Sequence, residues 1–312
     1  MTFDHEKKFE DAVIAQLKEY GWEREVIEYP TEEDLIRNWA DILFANNRQQ
    51  DVLNDCPLTD GEMQQILEQI IALRTPVRLN DFINGKSVGI KRENPDDTQN
   101  FGKEVSLKIY DRREIALGSS RYQIVRQPQF KTAPRLNDRR GDLMLLINGM
   151  PVIHIELKKS GMPVSNAYNQ IEKYAHEGVF TGLFSLIQVF VAMEPEEAVY
   201  FANPGPDGMF NKSFYFHWAD FDNVPYSDWQ DIVKYLLNIP MAHELIGYYT
   251  IPDGKDDTLK VMRSYQYYAA REISAMVAAK DWKDTNILGG HIWHTTGSGK
   301  TLTSFKSAQL IV

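Results

Sequence analysis

The chain has 312 residues, 43% of them apolar and 25% charged, with a formal net charge of −10. These are the proportions of a soluble globular protein long enough for one large domain or two ordinary ones. A single cysteine, Cys56, excludes an internal disulfide and fits a reducing compartment; the charged N-terminus is no secretory signal, and apolar runs such as LIQVFVAM are far too short to span a bilayer, so a cytoplasmic protein without a membrane partner is expected.

Residues 4–23 (DHEKKFEDAVIAQLKEYGWE) place Phe9, Val13, Ile14, Leu17 and Tyr20 at helical spacing, with Gly21 set to end the helix. Residues 31–48 (TEEDLIRNWADILFANNR) open with Thr31 and an acid three positions on, close to a capping box, and residues 59–74 read as another helix. From about residue 85 to 193 the pattern changes to short β-rich runs, EVSLKIYD, RYQIVRQ, DLMLLI, VIHIEL and LIQVFVAM, interrupted by one helix over residues 164–178. A β pair, AVYFAN and FYFHWAD, precedes a helix over residues 226–238 that Pro240 closes. Residues 251–262 read as a connector; then come a helix over 263–280, a strand-like GGHIWHTT, a glycine-rich loop and a last helix. The expected organisation is an α/β domain over residues 1–240, a connector over 241–260 and the opening of a second domain over 261–312.

The net charge argues weakly against nucleic acid as a partner, but its distribution matters more. Residues 121–140 carry Arg121, Arg126, Lys131, Arg135, Arg139 and Arg140 against Asp138 alone, a local balance of +5. A solvated basic loop and a phosphate-facing patch both fit that run.

The most informative stretch is GDLMLLINGMPVIHIELKKSG, residues 141–161. Two apolar runs flank Asn148-Gly149, a hairpin signal. Asp142 stands at the outer end of the first strand, and Glu156 and Lys158 share one face at the outer end of the second. A three-residue loop over residues 148–150 would set Asp142 opposite Glu156, on one face; a two-residue turn would send them to opposite faces unless a bulge corrected the parity. Two facing carboxylates repel unless a cation lies between them, and Mg²⁺ takes such hard oxygen ligands. Lys158 beside them would hold an attacking water or neutralise a phosphate, so the cluster has the parts of phosphodiester hydrolysis. A charged strand rim is the plainer account of the same residues.

This arrangement resembles the PD-(D/E)XK nucleases, whose signature is an acid followed by (D/E)-x-K on the next strand. RGDLMLLINGMPVIHIELKKSG is similar to the restriction (R) subunit of type I restriction–modification enzymes, in which an R-x-D strand, an N-G-x-P turn and an E-L-K strand follow one another. The resemblance implies a mixed central sheet flanked by helices, with Asp142 and Glu156 as metal ligands together with the Leu157 carbonyl. It also implies a Q-x-x-x-Y element, which NQIEKY supplies as Gln170 and Tyr174, four apart on one helix face. Related nucleases add an acid from the first helix, for which Glu10 is the candidate. Double-stranded DNA and the methylation and specificity subunits are the partners so implied.

Near the end of the chain, HTTGSGKT carries Gly297, Ser298, Gly299, Lys300 and Thr301 in the order of a phosphate-binding loop, with His294 where the general pattern has glycine. IWHTTGSGKTLTSF is similar to helicase motif I of the same subunit, histidine included, and MRSYQYYAA to its R-x-Y-Q element. That likeness implies the start of a RecA-like lobe, ATP as its ligand, and Gln266 reading the adenine edge beside Arg263 and Tyr265. No later DEAH-like acidic motif occurs, so ATP hydrolysis by this chain alone is not expected. Three other readings stay open: the front part of another nuclease–helicase fusion, an adaptor on a DNA-dependent ATPase, and a subunit-docking module with a vestigial cluster.

Overall fold

The apolar runs that dominate the middle of the sequence become the centre of a mixed six-stranded sheet. In the computed structural model, which describes residues 2–115, 120–131, 138–205, 208–280 and 289–311, the strands are β1 (Val26–Glu28), β2 (Ser87–Lys91), β3 (Glu104–Lys108), β4 (Tyr122–Arg126), β5 (Gln129–Phe130), β6 (Arg139–Arg140), β7 (Leu143–Ile147), β8 (Met150–Leu157), β9 (Val189–Glu194), β10 (Glu197–Ala202), β11 (Thr250–Asp253) and β12 (Thr258–Val261). The central sheet runs β1-β4-β7-β8-β9-β10; β2–β3, β5–β6 and β11–β12 form three separate pairs. Within it β1 pairs parallel with β4 and β8 parallel with β9, and the other neighbours are antiparallel. Every residue of β7, β8 and β9 is buried, as expected of strands covered on both faces.

The helices are α1 (Glu6–Glu19), α2 (Glu32–Asn47), α3 (Asp60–Ala72), α4 (Pro76–Asn84), α5 (Ser165–His176), α6 (Trp229–Tyr235), α7 (Met241–Glu244), α8 (Ser264–Ala279) and α9 (Lys300–Ile311). Thr31 and Thr59 cap α2 and α3 through reciprocal bonds with Asp34 and Glu62; at Thr31 this realises the capping pattern read from the sequence. The α5 helix is the crossover that parallel β8 and β9 require, and it packs on both strands. Helix α1 buries Phe9, Glu10, Val13, Ile14 and Leu17 and packs against β8 and α6. One apolar cluster runs through all of this and reaches Tyr267 and Ala270 on α8.

Of the two turns weighed above, the hairpin β7–β8 takes the two-residue one with a correcting bulge. Ile147 pairs with Met150 across the two residues Asn148 and Gly149, both at positive φ (51° and 83°). The register then shifts by one between Leu145 and Leu146, so that Leu145 faces Ile153, Met144 faces His154 and Leu143 faces Ile155. Val152 is the extra residue of a β-bulge, and it restores the parity that the short turn would have reversed. The turn is two residues because its tip is enclosed: Asn148 bonds the Ile109 carbonyl (3.2 Å) and the Arg121 amide (2.8 Å). A Cβ on Gly149 would lie 2.8 Å from the Trp39 ring.

Two runs read as strands do not form them. In FYFHWAD only single bridges, Tyr200 with Phe216 and Ala219 with Pro225, tie the chain to its neighbours. Residues 289–296 are irregular, since among the described residues no strand lies beside them to complete a ladder. Residues 251–262 make the β11–β12 hairpin, which packs on α4 and β10. Among the described residues no helix is long and apolar enough to cross a membrane.

Candidate active site

The enclosed turn puts the open end of the β7–β8 hairpin at the opposite edge, and there the chemistry-bearing residues collect. With Leu143 facing Ile155, the next position outward sets Asp142 against Glu156. The Leu157 amide donates to Asp142 Oδ2 (2.7 Å), and the Gln127 amide donates to the Asp142 carbonyl (2.8 Å). Glu156 is fully buried beside Lys158, whose Nζ lies 3.4 Å from Glu156 Oε1, 2.8 Å from the Leu157 carbonyl and 3.8 Å from Glu6. The structure therefore brings Asp142, Glu156 and Lys158 together.

Burial raises the Asp142 carboxyl well above the usual carboxylate range, and the Glu156 charge adds to the rise. Burial pushes Glu156 up to about 7, with Lys158 pulling the other way. Two buried carboxyls this close resist ionising together, the expected behaviour of close carboxylates without a cation.

Gln170 and Tyr174 arrive on α5. Gln170 Nε2 donates to the Tyr174 hydroxyl (2.7 Å), which donates to the Arg140 carbonyl (3.0 Å) two residues before Asp142. Burial raises the Tyr174 phenol, and the Glu156 and Asp142 charges add to it, so the ring stands within electrostatic reach of both acids.

Glu10 occupies a neighbouring but separate position. Its two oxygens accept from Arg126 Nε (2.6 Å) and Gln127 Nε2 (3.1 Å). Burial raises its carboxyl, and Asp142 contributes in the same direction. Arg126 binds Asp11 as well (2.8 Å), which leaves the first helix clamped to the end of β4.

The basic run at 121–140 is largely neutralised in space. Arg121 pairs with Glu23, Arg126 with Glu10 and Asp11, Lys131 with Glu33 and Arg139 with Glu177, while Arg135 lies outside the described residues. Arg140 makes no ion pair among the described residues; its guanidinium lies over the Tyr29 ring at 5.8 Å.

His154 went unnoticed in the sequence, where it looks like one more residue of an apolar strand. It lies two before Glu156 and so on the same face, the one signal that could have drawn attention to it. Its ring is fully buried, with Nε2 3.5 Å from Glu156 Oε2, and burial holds its pKa down at about 4. Neither ring nitrogen has a hydrogen-bond partner, and neither does Glu156 Oε2.

The residues fit a hard divalent ion. The buried Glu156 carboxyl and the Asp142 carboxyl facing it are hard oxygen donors that such an ion satisfies. Among the described residues no group of three or more His, Cys, Asp or Glu is arranged to hold a metal ion. Two carboxylates with the Leu157 carbonyl and waters are the smaller donor set typical of Mg²⁺.

The glycine-rich loop lies apart from this cluster. Gly297 and Gly299 take positive φ (79° and 81°) and lead into α9, which starts at Lys300. Gln266 Nε2 and the Tyr265 hydroxyl both donate to the Ser298 carbonyl (3.0 and 2.9 Å), while Gln266 Oε1 accepts from the Arg263 amide (3.0 Å). Lys300 Nζ donates to the Thr295 carbonyl (3.0 Å), folded back on its own loop. Gly297, Ser298, Gly299, Thr301, Gln266 and Arg263 line a cavity of about 800 Å³.

Residues 3–208 match the family described as type I restriction enzyme R protein N terminus, and residues 265–312 match the SWI2/SNF2 ATPase family. The whole chain is 33% identical to the type I restriction enzyme SsaAORF53P endonuclease subunit of Staphylococcus saprophyticus, covering 30% of that protein. It is 31% identical to the SauMSSORF170P endonuclease subunit of Staphylococcus aureus, covering 31%. With the EcoprrI endonuclease subunit of Escherichia coli the identity is 28%, over 62% of this chain and 60% of that one. The chain thus spans about a third of the length of the first two relatives. Since the R protein match takes in residues 3–208, most of the sequence, this chain belongs to the type I restriction enzyme R protein family.

Proposed function

We propose that residues 1–240 carry the Mg²⁺-dependent endonuclease site of a type I restriction enzyme R subunit. The observation that carries this is Asp142 set against Glu156 on one sheet face with Lys158 beside them, the pKa of both carboxyls raised by burial. Family membership supports it, as do relatives named endonuclease subunits.

In this reading the Asp142 and Glu156 carboxylates and the Leu157 carbonyl hold the ion. When bound, Mg²⁺ acidifies water and offsets charge on a phosphate oxygen. Lys158 Nζ orients the water whose oxygen bonds to phosphorus as one P–O ester bond breaks, and it steadies the negative charge that accumulates there. Tyr174 and Gln170 fix the Arg140 carbonyl and thereby the approach to Asp142. Arg140, free of a carboxylate partner among the described residues, would meet a DNA phosphate in this reading.

The partners of the complete enzyme are double-stranded DNA and the methylation and specificity subunits, in the cytoplasm. The glycine-rich loop of residues 297–301 serves ATP in the whole subunit, whose translocation precedes cleavage. The test is Asp142→Ala and Lys158→Ala in the assembled enzyme. Cleavage should vanish while DNA-dependent ATPase persists. Loss of both activities together would count against a separate nuclease site, and cleavage that survives would make the front domain an adaptor or docking module.

A further inference from the structure

We propose that His154 is a positioning residue for Glu156: its Nε2–H holds Oε2, leaving the oxygen on the Lys158 side for the divalent ion. This rests on the nuclease reading above and adds to it the residue that orients one of the two ligands.

Two buried polar atoms without partners face each other here, His154 Nε2 and Glu156 Oε2, 3.5 Å apart. That is slightly too long for a hydrogen bond, and a closure of a few tenths of an ångström would make one. A buried polar group left unbonded is costly, so an imidazole in an otherwise apolar strand calls for a use that leucine or valine would not serve. The ring cannot easily swing elsewhere. Phe130, Phe180 and Phe190 surround it at centroid distances of 6.0, 5.4 and 6.1 Å. Gly141 leaves the room it occupies, because a Cβ there would lie 2.6 Å from His154 Cε1.

The alternating pattern adds to the case. His154, Glu156 and Lys158 are i, i+2 and i+4 of one strand, so they form a row from the buried sheet to its edge. Lys158 borders Oε1 at 3.4 Å and His154 borders Oε2 at 3.5 Å, so the two carboxylate oxygens meet different basic side chains. A carboxylate flanked in this way keeps a single orientation, and that is what an outer partner contributes to a metal ligand.

The test is Mn²⁺ titration by calorimetry on the full 312-residue chain, with thermal unfolding to confirm each variant is folded. His154→Leu removes the donor at similar volume and should weaken Mn²⁺ binding roughly 10–100-fold. His154→Gln keeps an N–H donor and should stay within about threefold of the parent. Should the leucine variant fail to fold, His154→Met makes the same comparison with a more adaptable side chain. Leucine binding as tightly as the parent, or glutamine as weak as leucine, would overturn the assignment while Asp142→Ala still abolishes binding. If Asp142→Ala binds Mn²⁺ as well as the parent, the nuclease reading falls and this inference with it.

Discussion

The Leu157 amide donates to Asp142 Oδ2 at 2.7 Å, so the strand that carries Glu156 also holds the aspartate facing it. The two acids are not independently placed. Each depends on the same eight-residue strand, and a shift of that strand moves both.

Neutralising either acid should therefore weaken metal binding. Asp142→Asn and Glu156→Gln keep shape and hydrogen bonds but remove the charge that holds the cation. Mn²⁺ affinity should drop at least tenfold for each, roughly 1.4 kcal/mol or more. Calorimetry on the purified chain reads this directly.

The raised Glu156 value has a consequence for the metal-free fold. Because the folded state binds this proton more tightly than the unfolded chain does, the contribution to stability is complete below the ordinary pKa of 4.5 and is lost as pH climbs through about 7. Urea unfolding in chelator should show the parent losing stability between about pH 5 and about pH 8, on the order of 3 kcal/mol at most. Glu156→Gln should flatten that slope, and a slope unchanged by the substitution would refute it. Metal affinity should move the opposite way, rising with pH over the same window as the carboxyls deprotonate.

Gly149→Ala tests the enclosed turn. The residue sits at φ 83° and a Cβ would meet Trp39 at 2.8 Å, so conformational strain and overpacking add. A loss of roughly 2–4 kcal/mol is expected from the two together, read as a lower urea midpoint with an unchanged slope.

Tyr174→Phe removes one hydroxyl that accepts from Gln170 and donates to the Arg140 carbonyl. Cleavage by the assembled enzyme should fall about tenfold, in line with one or two ordinary hydrogen bonds, with little change in folding. A variant as dead as Asp142→Ala would instead place the phenol among the reacting groups.

Gln266→Ala should loosen the glycine-rich loop, since Gln266 Nε2 bonds the Ser298 carbonyl. Amide exchange at Gly299 and Lys300 should quicken while exchange in β8 stays as it was. Equal protection in both forms would leave the contact without a holding role.

Much of this was legible in residue pattern alone. The apolar runs around Asn148-Gly149 announce a buried hairpin, and Thr31 announces its helix, because turn and cap chemistry is local. The parity of the carboxylates was not legible. It depends on a bulge at Val152, and the short turn that makes the bulge necessary is enclosed by Trp39, Ile109 and Arg121, all distant in sequence. The likeness to related nucleases points to Glu10 on the first helix, but its engagement by Arg126 and Gln127 depends on how α1 meets the sheet edge. His154 escaped notice because an imidazole in an apolar strand reads the same whether it fills space or orients a ligand. The strand-like runs of residues 214–220 and 289–296 failed for a common reason: β propensity states a preference, and a ladder still needs a neighbour.

Val152 gives the hairpin a length dependence that its composition does not reveal. Chain added or removed between Ile153 and Glu156 would exchange inside for outside along the tail of the strand, taking glutamate and lysine away from the aspartate even with every residue type retained. Substitutions there are graded by size and polarity, whereas a single-residue insertion acts as a switch. In this protein the catalytic potential is guarded by counting.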